Sequence, residues 1–578
     1  MSQNNWLPTS AKEINNLGWD NPDVIIFSGD AYIDHPAFGT AIIARVLESI
    51  GVKVAIIPQP NWQDDLRDFK KLGTPNLFFG VTSGNMDSMV NHYTANRRLR
   101  SDDAFTPGGK AGFRPDYATA VYSRILKKLF PETPVVLGGI EASLRRFTHY
   151  DYWKDILLPS ILHWSDADLI VYGSGEKPVK DIVKLLLKGV PFSQLKNIPQ
   201  TVYMIDKSLP IPNLKNRNTI ELTSHEICLK DKLKFAENFK IIEEESNRFE
   251  PSRLHQVSGN KRIIVNPPYQ PMTTAELDAV YDLPFTRLPH PRYRSKGSIP
   301  AFEMIKNSVT IHRGCFGGCA FCTISAHQGK FISSRSKSSI LKEVKMIAQT
   351  DGFKGYISDL GGPSANMYGM KGKDFELCKN CCRPSCIFPK ICKNLDTSHQ
   401  ALSEIYRETD KVEGIKKTSI GSGIRYDLLM NNDVSENEKK VQHTYIKELI
   451  IRHISGRFKV APEHVSEHVL KIMRKPSFKL FKEFKVIFEK INQENNLSQQ
   501  LIPYFISSHP GTTEKDMVDL SKEMKKLKLT LEQVQDFTPT PMTLSTAIFY
   551  SGVHPYTMQP IYTARNKEDK LRQKKYFF

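Results

Sequence analysis

Residues 311–322, IHRGCFGGCAFC, contain the most diagnostic pattern in this chain. Cys315, Cys319 and Cys322 have the spacing C-x3-C-x2-C. Iron–sulfur clusters are held by cysteine thiolates, and an ordinary four-iron cluster takes four of them. Three thiolates in one short loop can each bind one iron and leave the fourth iron open to an external ligand. The glycines of the loop let the backbone pass close to a bulky cluster, because they carry no β-carbon.

Zinc is the alternative metal for the same loop. Structural zinc sites favour paired C-x2-C units that a second pair or histidines complete into a tetrahedron. Only Cys319 and Cys322 have that spacing here, and the next cysteine is Cys378. His312 or His327 could supply the missing ligand. The spacing therefore favours an iron–sulfur cluster and leaves zinc open.

The length and composition favour a cytoplasmic enzyme with more than one domain. A chain of 578 residues is long enough for two or three domains with sizeable cores. No apolar run is long enough to span a bilayer, and the start of the chain lacks a charged-then-apolar signal sequence. Eight of the nine cysteines lie between Cys315 and Cys392, which is typical of metal ligands in a reducing cytosol and not of a disulfide framework.

The net charge of +18 would suit a nucleic-acid partner. The basic residues are scattered, with short clusters at 97–100, 292–294 and 570–575, and none forms a long stripe with interleaved aromatic residues. Abundant lysine on every solvated face explains the charge equally well. The composition therefore leaves nucleic-acid binding, RNA in particular, open.

Residues 1–200 are predicted to form a doubly wound α/β domain. Helical patterns at about 38–49, 117–129 and 176–188 alternate with apolar strands, which favours a parallel sheet. The predicted strands lie at 24–27, 52–57, 77–81, 134–137 and 169–172. Small or polar residues follow several of these strands, where such sheets bind ligands. Several of these small residues are glycines, and tight strand-to-helix turns would explain them equally well.

Residues 201–300 are predicted to connect this domain to a second one at 301–570. The second domain has six strand–helix repeats between 308 and 537, which predict a partial β/α barrel. The chemistry of β/α barrels lies at the carboxyl ends of the strands. The cysteine loop at 315–322 follows the first predicted strand, as that rule requires.

The cysteine loop, with the aromatic residue Phe321 before its last cysteine, resembles the signature of the radical S-adenosylmethionine (SAM) superfamily, C-x3-C-x-aromatic-C. Longer phrases resemble the bacterial YgiQ-type members of that superfamily, a family without an assigned reaction. These phrases lie at 28–36, 138–146, 461–464 and 536–541. The resemblance covers nearly the whole chain and implies a Rossmann-like first domain followed by a radical SAM partial (β/α)6 barrel.

The resemblance also implies the cofactors and the chemistry. A [4Fe–4S] cluster on the three loop cysteines would bind SAM through its open iron and generate a 5′-deoxyadenosyl radical on an unknown substrate, with an electron donor such as a flavodoxin or ferredoxin. Gly361 and Gly362 would receive the amino group of SAM, and Ser422 and Arg425 its carboxylate or ribose. No residue is identifiable as a substrate base or radical carrier. The competing interpretation is a non-enzymatic iron–sulfur protein that binds RNA or senses redox state.

The first domain resembles the cobalamin-binding Rossmann module that precedes many radical SAM cores. That module carries Asp-x-His-x-x-Gly after its first strand when a histidine binds the cobalt. Here Asp34 and His35 are adjacent, and Gly39 is one position too far from the histidine. We therefore expect the fold without the cobalamin.

A second group of cysteines lies at 378–392, an insertion with five cysteines in fifteen positions. Prolines and basic residues make this segment polar and non-helical. The predicted ligands of an auxiliary metal site are Cys378, Cys382, Cys386 and Cys392, with Cys381 spare. The pattern resembles the YgiQ-type family and leaves two choices open, a second iron–sulfur cluster or a structural zinc.

Overall fold

The computed structural model describes residues 6–529 and 534–576, so the first five residues of the predicted 1–200 domain lie outside the described residues. The strands of the first domain are β1 (Val24–Ser28), β2 (Val54–Pro58), β3 (Phe78–Thr82), β4 (Val135–Gly138), β5 (His149–Asp151), β6 (Ile156–Leu158), β7 (Leu169–Val171), β8 (Thr201–Asp206), β9 (Thr219–Leu222), β10 (Arg253–Ser258) and β11 (Lys261–Val265). Its helices are α1 (Ala11–Asn16), α2 (Gly39–Glu48), α3 (Arg67–Lys70), α4 (Ser88–His92), α5 (Ala118–Leu129), α6 (Gly139–Leu144), α7 (Leu162–Ser165), α8 (Glu176–Leu187), α9 (His225–Lys230), α10 (Lys232–Ser246), α11 (Thr274–Tyr281) and α12 (Pro300–Ile305).

Within the described chain, nine of these strands form one sheet in the order β2-β1-β3-β4-β7-β8-β11-β10-β9. The first five strands of this order pair in parallel. Every residue of β1 and β2 is buried, as expected for parallel strands that helices cover on both faces. The doubly wound first domain is confirmed.

The segment 201–300, predicted as a connecting region, contributes strands β8 to β11 to this same sheet. Strand β8 pairs antiparallel with β7 and with β11, so the sheet continues across the boundary predicted at residue 200. The reason is that β8 and β11 carry apolar residues that the sheet buries, including Val202 and Ile264. Only the later, proline-rich part of the segment has no strand, and it leads to α12 and the second domain.

The second domain is an incomplete ring of parallel strands surrounded by helices. Its strands are β12 (Ser308–Thr310), β13 (His312–Arg313), β14 (Ser333–Ser334), β15 (Tyr356–Ile357), β16 (Asp359–Gly361), β17 (Lys417–Thr418), β18 (Arg457–Glu463), β19 (Gln500–Ser507) and β20 (Val534–Asp536). Its helices are α13 (Ile324–Gln328), α14 (Lys337–Ala348), α15 (Phe375–Lys379), α16 (Gln400–Asp410), α17 (Tyr426–Leu429), α18 (Glu436–Arg452), α19 (Glu467–Met473), α20 (Phe478–Glu494), α21 (Glu514–Lys526), α22 (Leu544–Ser551) and α23 (Lys567–Lys574).

The parallel pairings follow the chain order around the ring. They are β12 with β16, β15 with β17, a single bridge from Ile424 to Val460, β18 with β19, and β19 with β20. The outer helices turn apolar faces to this ring: on α20, Phe481, Phe484 and Phe488 are buried at helical spacing. The arrangement agrees with the predicted partial (β/α)6 barrel.

The two domains are packed together. Arg313 of β13 in the second domain forms an ion pair with Glu176 of α8 in the first. Arg474 of the second domain forms an ion pair with Glu243 of the first through two contacts of 2.8 Å. Among the helices of the described residues, none is long and apolar enough to cross a membrane.

Candidate functional site

The cysteine loop leaves the carboxyl end of the first barrel strand, where barrel enzymes have their chemistry. The amide of Cys315 donates to the carbonyl of Gly329 at 3.1 Å, and that of Ala320 donates to the carbonyl of Met473 at 3.0 Å. Gly314 has a φ of +87°, and a β-carbon there would lie 2.2 Å from the carbonyl oxygen of Phe331. The loop therefore needs glycine at this position for its path.

The three thiols of the loop are half-buried and share one environment. A β-carbon at Gly317 would lie 3.3 Å from the sulfur of Cys315 and 3.9 Å from that of Cys319, so glycine keeps space open above both. Burial, reinforced by the Cys319 charge, raises the pKa of Cys315 to about 11 and that of Cys322 to about 12. Protons therefore remain on these thiols until metal binding displaces them.

No three or more His, Cys, Asp or Glu side chains of the described residues are arranged to bind a single metal ion. The thiolates of a four-iron cluster need not converge on one point, because each of them binds a different iron. The open space above the thiols and the three sulfur donors therefore fit a four-iron cluster.

Two buried ion pairs surround the loop. The guanidinium of Arg425 binds Asp427 at 2.5 and 2.9 Å and also contacts the sulfur of Cys319 at 3.2 Å. The ammonium of Lys475 lies 3.7 Å from the carboxylate of Glu463. Glu463 has a φ of +68°, at an irregularity in the pairing of β18 with β19, and such bulges are frequent next to active sites.

The residues predicted to bind SAM lie on neighbouring strands. The register of β12 with β16 aligns Thr310 with Gly361, and the carbonyl of Gly361 accepts from the amide of Ile311 at 2.8 Å. A β-carbon at Gly361 would lie 2.2 Å from the hydroxyl oxygen of Ser422. Ser422 in turn donates to Asp359 through its hydroxyl and amide, at 3.0 and 3.1 Å.

Gly361, Gly362 and Ser422 are thus brought together, whereas Arg425 is directed elsewhere. A β-carbon at Gly362 would lie 2.5 Å from the ring of His312, so this glycine allows the imidazole to pack flat against the strand. All three guanidinium nitrogens of Arg425 contact Asp427 or the sulfur of Cys319. The assignment of these four residues to SAM stays a prediction.

A cavity of about 590 Å³, here called the interdomain cavity, separates the first sheet from the barrel strands. It extends past the carboxyl ends of β3, β4 and β7 and reaches Gly361 and Gly362. One wall is apolar, formed by residues such as Ile26, Ile43 and Val136. Its location matches the place where doubly wound sheets bind ligands.

Unpartnered polar atoms line the barrel side of the interdomain cavity. His312 is 0% exposed, and neither of its ring nitrogens has a hydrogen-bond partner among the described residues. Nδ1 of His327 and one carboxylate oxygen of Glu176, which pairs with Arg313, are likewise unsatisfied in the described chain. Burial lowers the pKa of both histidines to about 4, so each ring is neutral with one nitrogen able to donate and one able to accept.

The insertion at 378–392 packs on the cysteine loop. The amide of Cys386 donates to the carbonyl of Phe316 at 3.0 Å, and within the insertion the amide of Cys381 donates to the carbonyl of Cys378 at 3.1 Å. The assignment of Cys378, Cys382, Cys386 and Cys392 as ligands stays a prediction.

The sequence reasoning missed Asp427, Lys475 and Lys330. Asp427 follows Arg425 by two positions, and an acidic residue so close to a predicted arginine could have indicated their pairing. Lys475 and Lys330 reach the two cysteine groups only through the tertiary fold, and no local pattern marks them.

Comparison with known proteins identifies the family. The family model Radical SAM N-terminal matches residues 6–308. A UPF0313 protein of Porphyromonas gingivalis is 59% identical over 574 residues, which cover 99% of this chain and 90% of that protein. The chain belongs to the UPF0313 family. A UPF0313 protein of Methanocella arvoryzae is 47% identical over 96% of this chain and 90% of its own length.

The UPF0313 assignment confirms the YgiQ-type radical SAM family predicted from the sequence. It supports a radical SAM protein, with the metal binding and SAM use that this implies, and does not support the non-enzymatic alternative. A nucleic-acid partner has no support from these comparisons.

Among solved structures, the cobalamin-dependent SAM radical enzyme OxsB with aqua-cobalamin bound matches with a TM-score of 0.50 at 12% identity, over 94% of this chain and 57% of OxsB. The radical SAM methyltransferase TsrM from Kitasatospora setae, with cobalamin and a [4Fe–4S] cluster, matches with a TM-score of 0.47 at 14% identity, over 91% of this chain and 77% of TsrM. The shared fold with OxsB confirms the predicted fold class. The expectation of a first domain without cobalamin is corrected: the fold occurs with cobalamin bound, so the altered spacing at Asp34 and His35 is no ground for excluding it.

Proposed function

We propose that this UPF0313 protein is a radical SAM enzyme that binds a [4Fe–4S] cluster through Cys315, Cys319 and Cys322, and SAM next to Gly361 and Gly362. The observation that carries the proposal is the strand register. Because β12 and β16 are parallel neighbours, the cysteine loop and the Gly-Gly pair leave the same end of the barrel side by side. The cluster, when bound, supplies the electron that splits SAM into methionine and a 5′-deoxyadenosyl radical.

The residues of the chain position and insulate this chemistry. Arg425 donates to the Cys319 sulfur, and hydrogen bonds to sulfur tune the potential of a thiolate-bound cluster. Lys475 and Arg425 are buried next to the loop, each paired with a carboxylate, so they add no net charge there. Phe321 packs edge-on against His509, with ring centroids 6.0 Å apart, and keeps water from that side of the loop.

Production of 5′-deoxyadenosine tests the proposal. Anaerobic protein is reconstituted with iron and sulfide, reduced with dithionite and given SAM, and 5′-deoxyadenosine is measured. We expect turnover from wild type and none from Cys319→Ala. A wild-type cluster that assembles and reduces without any 5′-deoxyadenosine would refute the enzyme assignment. The same assay with cell extracts fractionated for stimulation of turnover, and with flavodoxin or ferredoxin in place of dithionite, would identify substrate and donor.

We propose in addition that the interdomain cavity receives cobalamin. Its apolar wall suits the face of a large planar macrocycle, and the unpartnered His312 and His327 suit polar groups at the periphery of such a ligand. His35 is buried with its Nδ1 accepting from the amide of Ala37 and does not line the cavity, so we propose binding without His35 as a cobalt ligand. Cobalamin, when bound, supplies radical or group-transfer chemistry at cobalt.

Retention of aqua-cobalamin after gel filtration, measured by absorbance, tests this second proposal. Gly39 lines the cavity, and a β-carbon there would meet no atom within 4 Å. We therefore expect Gly39→Leu to project into the cavity and weaken retention at least tenfold, and Gly39→Ala to retain the cofactor. No retention by wild type, or equal retention by both variants, would overturn it.

A further inference from the structure

The insertion at 378–392, here called the second cysteine loop, is joined to the first cysteine loop at 315–322. The amide of Cys386 donates to the carbonyl of Phe316 at 3.0 Å, and the hydroxyl of Ser385 donates to the carbonyl of Gly317 at 2.8 Å. Phe316 and Ile387 lie in one buried apolar cluster, against which Cys315, Cys386 and Cys392 pack. The two loops therefore form one packed unit.

Main-chain hydrogen bonds arrange four of the five cysteines in two pairs. The amide of Cys381 donates to the carbonyl of Cys378 at 3.1 Å, and the amide of Cys392 donates to the carbonyl of Cys386 at 2.8 Å. The first pair has the C-x2-C spacing that metal-binding turns favour. Asn394, two positions after Cys392, donates its side-chain amide to the sulfur of Cys378, so the end of the loop that carries the second pair lies beside the first pair.

Two nitrogen donors point at the sulfur atoms of this group. The side-chain amide of Asn394 donates to the sulfur of Cys378 at 3.3 Å, and the ammonium of Lys330 lies 3.8 Å from the sulfur of Cys381. Lys330 is only 4% exposed, and its ammonium also donates to the carbonyl of Arg383 at 2.6 Å. A carbonyl alone is a poor partner for a buried cation, whereas metal-bound thiolates would give it a negative one.

We propose that Cys378, Cys381, Cys386 and Cys392 bind a second four-iron cluster, with Cys382 outside the ligand set and Lys330 as the buried counter-cation. Four thiolates complete the ligands of such a cluster, so this site has no open iron, unlike the site on the first loop. A cluster with four thiolates carries a net negative charge, which would stabilise the buried positive charge of Lys330. The side-chain amide of Asn394 contributes a second hydrogen bond to sulfur.

The neighbouring cysteines Cys381 and Cys382 provide a matched pair of variants for the test. After anaerobic reconstitution and removal of loosely bound iron, we expect about eight irons per wild-type chain, because each four-iron cluster contributes four. Cys381→Ala should lose about four irons and Cys382→Ala none. Retention of all iron by Cys381→Ala, loss from Cys382→Ala alone, or loss of one zinc with iron unchanged would each overturn the proposal.

Separate controls distinguish misfolding and failure of the first site. Cys381→Ser, which preserves the size of the side chain, should lose the same irons while circular dichroism and gel filtration match wild type. Cys319→Ala should lose about four other irons and retain those of the second site. If Cys319→Ala keeps all its iron while Cys381→Ala does not, the proposed enzyme function fails and the second cluster stands.

The proposed role of Lys330 as counter-cation is tested by the midpoint potential of the second cluster. Replacing Lys330 by methionine removes a positive charge that favours the reduced, more negative cluster, so the midpoint potential of the second cluster should fall. Lys330→Arg should restore the wild-type potential, and the first cluster should not shift in either variant. An electron paramagnetic resonance redox titration measures both clusters in one sample, and an unchanged potential in Lys330→Met would refute this role.

Discussion

Replacing Gly318 by alanine should open the contact between the two cysteine loops. Gly318 has a φ of +60°, and a β-carbon there would lie 2.3 Å from the carbonyl oxygen of Pro384. The left-handed conformation costs an alanine about 1–2 kcal/mol. Forcing the second loop away to relieve the overlap costs about 1–3 kcal/mol more. The second loop should therefore detach more readily in the variant than in wild type.

Gly369→Ala is the matched control for the backbone term. Gly369 has a φ of +74°, and a β-carbon there would meet no atom within 4 Å. It carries the same conformational cost without the contact. The difference between the two variants therefore isolates the packing of the loops, about 1–3 kcal/mol, or about 5- to 150-fold in the opening equilibrium.

Limited trypsin digestion of anaerobic, metal-loaded protein measures this opening. Lys390 lies in the second loop and is followed by Ile391, and its carbonyl accepts from the guanidinium of Arg383 at 3.2 Å, so cleavage after Lys390 requires the loop to open. The cleavage rate follows the open population when the loop closes faster than trypsin cuts. Mass spectrometry should find faster cleavage in Gly318→Ala than in Gly369→Ala. Equal rates in the two variants would refute the packing argument.

Three further predictions concern the first site and the interdomain cavity. Alanine in place of each first-loop cysteine, tested singly, should abolish 5′-deoxyadenosine formation with unchanged circular dichroism; loss of cooperative folding in all three would instead indicate a structural metal. Gly361→Ala should weaken SAM binding in equilibrium dialysis at least tenfold, because its β-carbon would overlap Ser422, whereas Gly423→Ala, whose β-carbon meets no atom within 4 Å, should bind like wild type. Equal binding by both would contradict this. His312→Phe should reduce the loss of thermal stability between pH 7 and 5. Burial lowers the pKa of His312 from 6.5 to about 4, so the contribution of this histidine to the free energy of unfolding is complete above pH 6.5 and is lost as the pH falls toward 4. The loss is about 2 kcal/mol at pH 5. An identical loss in wild type and variant would exclude this contribution.

Periodicity and strand order were enough to predict the central features of both domains. The apolar runs that became β1 to β4 and β7 are buried on both faces, and that burial is why their sequences lack polar alternation. The helix α20 begins after Ser477, whose hydroxyl caps it, and buries a phenylalanine stripe. Local chemistry and burial agree at these elements, so a single sequence is sufficient to predict them.

The extension of the first sheet could not be predicted in the same way. Strand β8 pairs antiparallel with β7 and β11, β11 pairs antiparallel with β10, and β10 pairs parallel with β9. Which pairings form depends on which edge of the sheet is free. The contacts of Arg425 could not be predicted for a related reason. Its guanidinium could reach SAM or a neighbouring acid, and only the fold shows that Asp427 and the Cys319 sulfur already occupy its donors.

Cys381 and Cys382 differ in the spacing that each has to Cys378, and the two spacings suit different local structures. Cys378, Cys382 and Cys386 share an interval of four residues, which aligns side chains only on a helix. Helix α15 ends at Lys379, and Pro384 prevents another helix turn from forming through the loop. In a turn, the closing hydrogen bond decides which side chains meet, and here it runs from the amide of Cys381 to Cys378. The proposed ligand set therefore follows the C-x2-C spacing of Cys378 and Cys381, because a single turn brings residues at that spacing onto one metal.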